Sequence, residues 1–155
     1  MSEDETGHRP ARLWHFFVDD MIAFAEDALS YTAGLDQSEF EGNGLVFDAT
    51  LRKLELIGEA ARNVPEEVRT LAPGIPWRQI IATRNRIVHA YLGIDYDTIW
   101  SILRDDLPGL IADVEALKLR LASQGPLAKA KCGRPTKADP PGRPASRLAP
   151  EGHYR

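Results

Sequence analysis

Apolar residues recur at alternating intervals of three and four in four separate stretches of this 155-residue chain, each set off by glycine or proline. That period lays a single stripe along one side of a helix, the pattern of a bundle member. Trp14, Phe17, Met21, Phe24, Ala28 and Tyr31 form the first stripe, on a helix expected from about Ala11 to Ala33 between Pro10 and Gly34. Phe47, Leu51, Leu54, Ile57, Gly58 and Ala61 form the second, on a helix from about Leu45 to Asn63. A third helix should begin at Pro76 and carry Trp77, Ile80, Ile81, Arg84, Val88 and Tyr91 on or near one side until Gly93 ends it. Trp100, Leu103, Leu107, Leu110, Val114, Leu117 and Leu121 make the fourth, heptad-like set. No stretch has the alternation and β-branched richness of a strand. Four amphipathic helices with short connections predict an all-α, antiparallel four-helix bundle.

The connections carry their own signals. Asp36–Gly44 reads as a turn region, Pro65 opens a short helical turn, and Leu71–Pro76 breaks the chain. Asp95 is placed to cap the last helix, and Pro108 should kink or divide it near Asp106. Gly58 costs a mid-helix position about 1 kcal/mol relative to alanine, so a close helix–helix crossing is expected there. Glu55 and Glu59, one turn apart, form either a solvated face or an anchor for an arginine across the bundle.

Charge is unevenly spread. Residues 1–122 hold 12 Lys/Arg against 21 Asp/Glu, whereas residues 123–155 hold 7 against 2. An acidic body opposes broad nucleic-acid binding, so any phosphate contact must be local. The expected organisation is a flexible acidic leader (1–12), one helical domain (13–122) and a disordered Pro/Gly/basic tail (123–155). The tail contains G-R-P twice, at Gly133–Pro135 and Gly142–Pro144, similar to the core of a minor-groove AT-hook. Cys132, the single cysteine, excludes an internal disulfide. With no signal-like apolar leader and no apolar run near the ~20 residues of a membrane span, a cytoplasmic protein without membrane contact is expected.

The window Val68–Ile94 breaks the acidic pattern. It contains no Asp or Glu in 27 residues, yet carries Arg69, Arg78, Arg84 and Arg86. An even spread would put about four acids there. Within it, Arg84–Tyr91 reads R-N-R-I-V-H-A-Y. Histidine exchanges a proton near neutral pH and arginine can clamp a non-bridging phosphate oxygen, a workable set for phosphodiester chemistry. No His/Asp/Glu cluster in this region has metal-ligand spacing, so no metal and no cofactor are expected. Five residues turn an ideal helix through about 500°, which leaves Arg84 and His89 roughly 140° apart. Either the helix breaks between them, or a second copy of the chain supplies the complementary residue. Seven residues would place Arg84 and Tyr91 about 20° apart on one face. His15, one step off the first stripe, reads as a boundary residue.

R-N-R-I-V-H-A-Y matches the R-x4-H-x-Y signature of HEPN-domain toxins of the HepT type. Y-T-A-G-L from Tyr31, L-R-K-L-E-L-I-G-E-A-A at Leu51–Ala61, I-P-W-R-Q-I at Ile75–Ile80 and H-A-Y-L-G-I-D from His89 through D-D-L-P keep that family's order and spacing. The resemblance covers roughly residues 13–121 and implies a homodimeric bundle whose two motifs meet in a cleft. It further implies a metal-independent endoribonuclease toxin that cleaves RNA by attack of its own 2′-hydroxyl. Arg84 and His89 would be catalytic and Asn85 the supporting polar residue, with Arg86 and Arg78 as phosphate contacts. Tyr91 would accept AMP from a cognate nucleotidyltransferase antitoxin. The other function that such a resemblance allows is a non-catalytic subunit that binds a nucleotide or the transferase in the same cleft.

Overall fold

A computed structural model of the chain describes residues 13–90 and 93–123, and all structural statements concern these. Every regular element among them is helical: α1 (Trp14–Tyr31), α2 (Gln37–Gly42), α3 (Gly44–Asn63), α4 (Glu66–Arg69), α5 (Trp77–His89), α6 (Tyr96–Ser101), a π-helical segment (Ile102–Asp106) and α7 (Leu107–Ser123). The all-α bundle is therefore what forms, with α1, α3, α5 and the α6–α7 arm as its four long members. Helix α3 lies between α1 and α5, while α1 also packs against α7. No helix among the described residues is long and apolar enough to cross a membrane. The expected leader, most of the tail with its two G-R-P repeats, and Cys132 lie outside the described residues.

The apolar stripes have the helical period, but on α1 the buried line is rotated from the one the spacing predicts. On α1 the buried residues are Val18, Met21, Ala25 and Ala28, flanked by half-buried Trp14, Phe17 and Phe24. Tyr31, assigned to the core from its spacing, is instead exposed. Large aromatics flank the line of closest approach, because small Ala25 and Ala28 let α3 come near. The α6–α7 arm follows its expected face, with Leu103, Leu107, Leu110, Val114, Leu117 and Leu121 all buried and Trp100 packed at the edge.

The stretch Asp36–Gly44 is not merely a turn, because it contains α2. Asp36 accepts from the Glu39 backbone N–H at 2.8 Å while the Glu39 carboxylate accepts from the Asp36 N–H at 2.9 Å, a reciprocal cap that nucleates the helix. Phe40, fully buried, anchors it against Phe47 and Trp100.

Proline sets the shape of the last arm. Pro108 offers no N–H to the carbonyl of Arg104 and its ring crowds that turn. The helix widens in response, with the Leu107 N–H reaching back five residues to the Ile102 carbonyl. The Arg104 guanidinium, stacked over Trp100, donates to the carbonyls of Thr32 and Leu35, satisfying acceptors just past the end of α1. Asp95 caps α6 as its position foretold, accepting from the backbone N–H groups of Asp97 and Thr98.

Candidate active site

Helix α5 carries the motif, and two local features fix its place. Its first residue, Trp77, is buried and donates its indole N–H to the Ala72 carbonyl at 3.0 Å, so the start of the helix is locked. About two turns on, at Arg84, α5 crosses α3 at Gly58. A Cβ built on Gly58 would lie 2.1 Å from Arg84 Cβ and 3.2 Å from the Ile80 carbonyl oxygen. The missing side chain at Gly58 is thus the condition for this crossing, as the sequence implied.

Beyond Trp77, no residue of α5 is fully buried. Ile80, Ile81 and Ile87 are half-buried, whereas Arg78, Asn85, Arg86 and His89 are exposed, and Val88 retains 39% of its surface. Helical geometry sorts these residues. Taking Arg84 as the reference direction, Asn85, Arg78 and His89 fall at roughly 100°, 120° and 140°, one strip on the outer side of the helix. Arg86 lies at roughly 200°, some 60° past His89. Arg84 itself starts from the side that faces α3.

The Arg84 head is nevertheless turned toward that strip. Its Nη1 donates to the Asn85 side-chain oxygen at 3.1 Å, and its Nη2 is 3.2 Å from Glu59 Oε2 on α3. Of the two alternatives for the Glu55–Glu59 pair, the arginine anchor is therefore realised by Glu59. Glu55 pairs along its own helix with Arg52 at 3.0 Å. Arg84 Nε and Glu59 Oε2 are both buried without a hydrogen bond of good geometry, so their ion pair is what offsets the desolvation of each.

Helix α5 runs without a break from Trp77 to His89. The option of a helix break between Arg84 and His89 is thereby removed. The expected shared face of Arg84 and Tyr91 needs helical backbone beyond His89, and Ala90 already departs from it (φ −78°, ψ 75°). Tyr91 itself lies outside the described residues.

The remaining basic residues divide. Arg78 lines an open hollow of about 510 Å³ with Glu66, Arg69 and Thr70 near the start of α5. Arg69 is spent on structure there, donating to the carbonyls of Val64 and Arg62. Arg86 borders a smaller cavity of about 150 Å³ with Ile87, Asp95 and Thr98. The Thr98 hydroxyl donates to Asp95 at 2.6 Å and, with the backbone N–H groups of Asp97 and Thr98 and the Arg86 charge, holds the Asp95 carboxyl below its ordinary range. Arg86 is accordingly not a wholly unpartnered cation. A groove of about 490 Å³ on the far side of α5 has an apolar floor including Leu54, Ile80 and Leu107 and an acidic rim of Asp105, Asp106 and Asp113. Among the described residues no basic side chain lines it, so it has the wrong sign for a nucleic acid. Among the described residues, no group of three or more His, Cys, Asp or Glu is placed to hold a metal ion.

The fold and this surface define an all-α bundle presenting one acid-free helix whose arginine, asparagine and histidine face solvent. Residues 21–117 match the family described as Ribonuclease HepT-like, and the chain belongs to that family. It is 36% identical over 99 residues to the protein named "Putative RNase MJ1380" of Methanocaldococcus jannaschii, covering 64% of this chain and 91% of that one. It is 40% identical over 70 residues to the protein named "Probable ribonuclease HepT" of Thermococcus cleftensis, covering 45% of this chain and 64% of that one. No solved structure gives a significant match.

Proposed function

We propose that this protein is a metal-independent endoribonuclease, the toxin of a toxin–antitoxin pair, and that it acts as a homodimer with one RNA-binding groove between two α5 helices. The observation that carries this reading is the unbroken, exposed α5, from which the Arg84 and His89 side chains depart in directions about 140° apart. With no break to bring them together, a second copy related by a two-fold axis is the economical way to present both to one linkage. The outer strip of Arg78, Asn85 and His89 is left open for such a partner.

The chemistry follows from the residues. The RNA 2′-oxygen attacks the adjacent phosphorus, its proton passes to a base, and the bond from phosphorus to the 5′-oxygen breaks as that oxygen gains a proton. The products are a 2′,3′-cyclic phosphate and a 5′-hydroxyl. His89 exchanges the proton, and Arg84 holds a non-bridging oxygen as negative charge develops. Asn85 orients the Arg84 head, while Arg86 and Arg78 contact flanking phosphates. Neutralisation is assigned to a cognate nucleotidyltransferase that transfers AMP to Tyr91, adding bulk and negative charge beside the groove.

The test is cleavage of single-stranded RNA by purified protein in the presence of a chelator. Wild type should cut, whereas Arg84→Ala and His89→Ala should each slow cleavage about 100-fold or more while keeping the wild-type fold. A His89→Ala protein that cuts at the wild-type rate removes histidine from the mechanism. A folded wild type that binds nucleotide or the transferase but never cuts RNA leaves the non-catalytic subunit instead.

A further inference from the structure

Glu59 carries a negative charge to the edge of a surface proposed to bind RNA, where simple electrostatics would exclude it. Its geometry gives a reason. Gly58 and Glu59 are consecutive on α3: the first admits the Arg84 stem, and the second meets the Arg84 head. The Glu59 side chain is held in turn, since Asn63 Nδ2 donates to Glu59 Oε1 at 3.3 Å and to the Glu59 carbonyl at 2.8 Å. Asn63, Glu59, Arg84 and Asn85 therefore form a continuous polar chain from α3 to α5.

A guanidinium has five N–H donors. In Arg84 the Nε–H is buried, Nη2 lies 3.2 Å from Glu59 Oε2 as an ion pair without hydrogen-bond geometry, and one Nη1 hydrogen is taken by Asn85. At least one N–H on each terminal nitrogen has no acceptor among the described residues, on a side chain that is 22% exposed. Two donors on one rigid plane suit two oxygens of one phosphate group.

We infer that Glu59 is a positioning residue for Arg84, fixing the plane of its guanidinium so that the two outward donors meet the scissile phosphate. This rests on the ribonuclease reading and deepens it. The charge cost of Glu59 is exchanged for orientation, because a freely rotating arginine binds phosphate without aligning it.

The inference makes a split prediction for Glu59→Gln and Glu59→Ala. Removing the carboxylate makes the surface more positive, so KM for RNA should stay level or fall. Loss of orientation should lower kcat about 10- to 100-fold in Glu59→Ala. Glu59→Gln, which keeps an acceptor oxygen, should lie between that variant and wild type. A second readout is independent of turnover: the buried Arg84 Nε–H should exchange slowly with solvent by NMR in wild type and rapidly in Glu59→Ala. Circular dichroism confirms the fold, and Glu59→Gln carries the test if the alanine variant unfolds. Unchanged kcat in folded variants, a raised KM alone, or a rise in kcat from a released latch would each overturn the inference. A wild type that protects the Nε–H yet cuts no RNA would instead sink the ribonuclease reading while supporting the Glu59 contact.

Discussion

Gly58→Ala tests the crossing that sets Arg84 in place. An ordinary carbon–carbon contact lies at about 3.5–4.0 Å, whereas the new methyl would sit 2.1 Å from Arg84 Cβ and 2.9 Å from Arg84 Cγ. The Arg84 Cβ is fixed by its own backbone and cannot rotate away, so α3 and α5 must part by more than about 1 Å. Replacing a mid-helix glycine gains about 1 kcal/mol in propensity. Overpacking of this kind costs about 3 kcal/mol, at the upper end of its usual range because the colliding atom is not a flexible tip. The net loss is about 2 kcal/mol, or a fall in Tm of about 8 °C for a domain of this size. Thermal melting by circular dichroism reads it directly. Gly109→Ala is the control, since nothing lies within 4 Å of its Cβ position and α7 is helical there; its Tm should rise by a few degrees. In an Arg84→Gly background, which removes both colliding carbons, Gly58→Ala should lose most of its penalty. If Gly58→Ala stabilises the protein as Gly109→Ala does, the crossing is not as close as described, and the placement of Arg84 fails with it.

Two further outcomes follow from the site. Tyr91→Phe should keep nuclease activity yet resist AMP transfer by a cognate nucleotidyltransferase; labelling as strong as wild type would put the modification elsewhere. Asp95 has a depressed pKa in the folded chain, first through the Thr98 hydroxyl and then through the α6 backbone and Arg86. Its contribution is therefore present above the ordinary aspartate range and lost as pH falls through and below it. Relative to Asp95→Asn, wild type should melt higher at neutral pH, and the gap should close in strong acid. A gap that stays constant across that range would contradict the assignment.

What could be read in the sequence follows from the range of each signal. Period and breakers are local, so the four long helices, the Asp95 cap and the Pro108 disruption are legible in the sequence. The phase of α1 was not: the depth of Val18 and Ala25 depends on where α3 approaches, a tertiary fact. Helix α2 was missed although its signal was present, because Asp36 and Glu39 have the spacing of a reciprocal cap and Phe40 follows. Gly58 announced a close crossing but could not name Arg84 as the residue across it. The choice between Glu55 and Glu59 likewise needed the rotation of α3 about its axis. Seven-residue spacing places Tyr91 beside Arg84 only on the premise of helical backbone past His89, a premise that local spacing cannot supply; Ala90 is already non-helical.

The account turns on Arg84 and His89 acting from two copies across one groove, and subunit mixing measures this most directly. Arg84→Ala and His89→Ala proteins, each inactive alone, are co-refolded, and the mixed dimers are verified by native mass spectrometry. A mixed dimer has one groove side with both an intact Arg84 and an intact His89, so RNA cleavage should return to about one quarter of the wild-type rate at statistical mixing. Mixed dimers as inactive as either parent, or a wild type that cleaves RNA as a monomer, would contradict it.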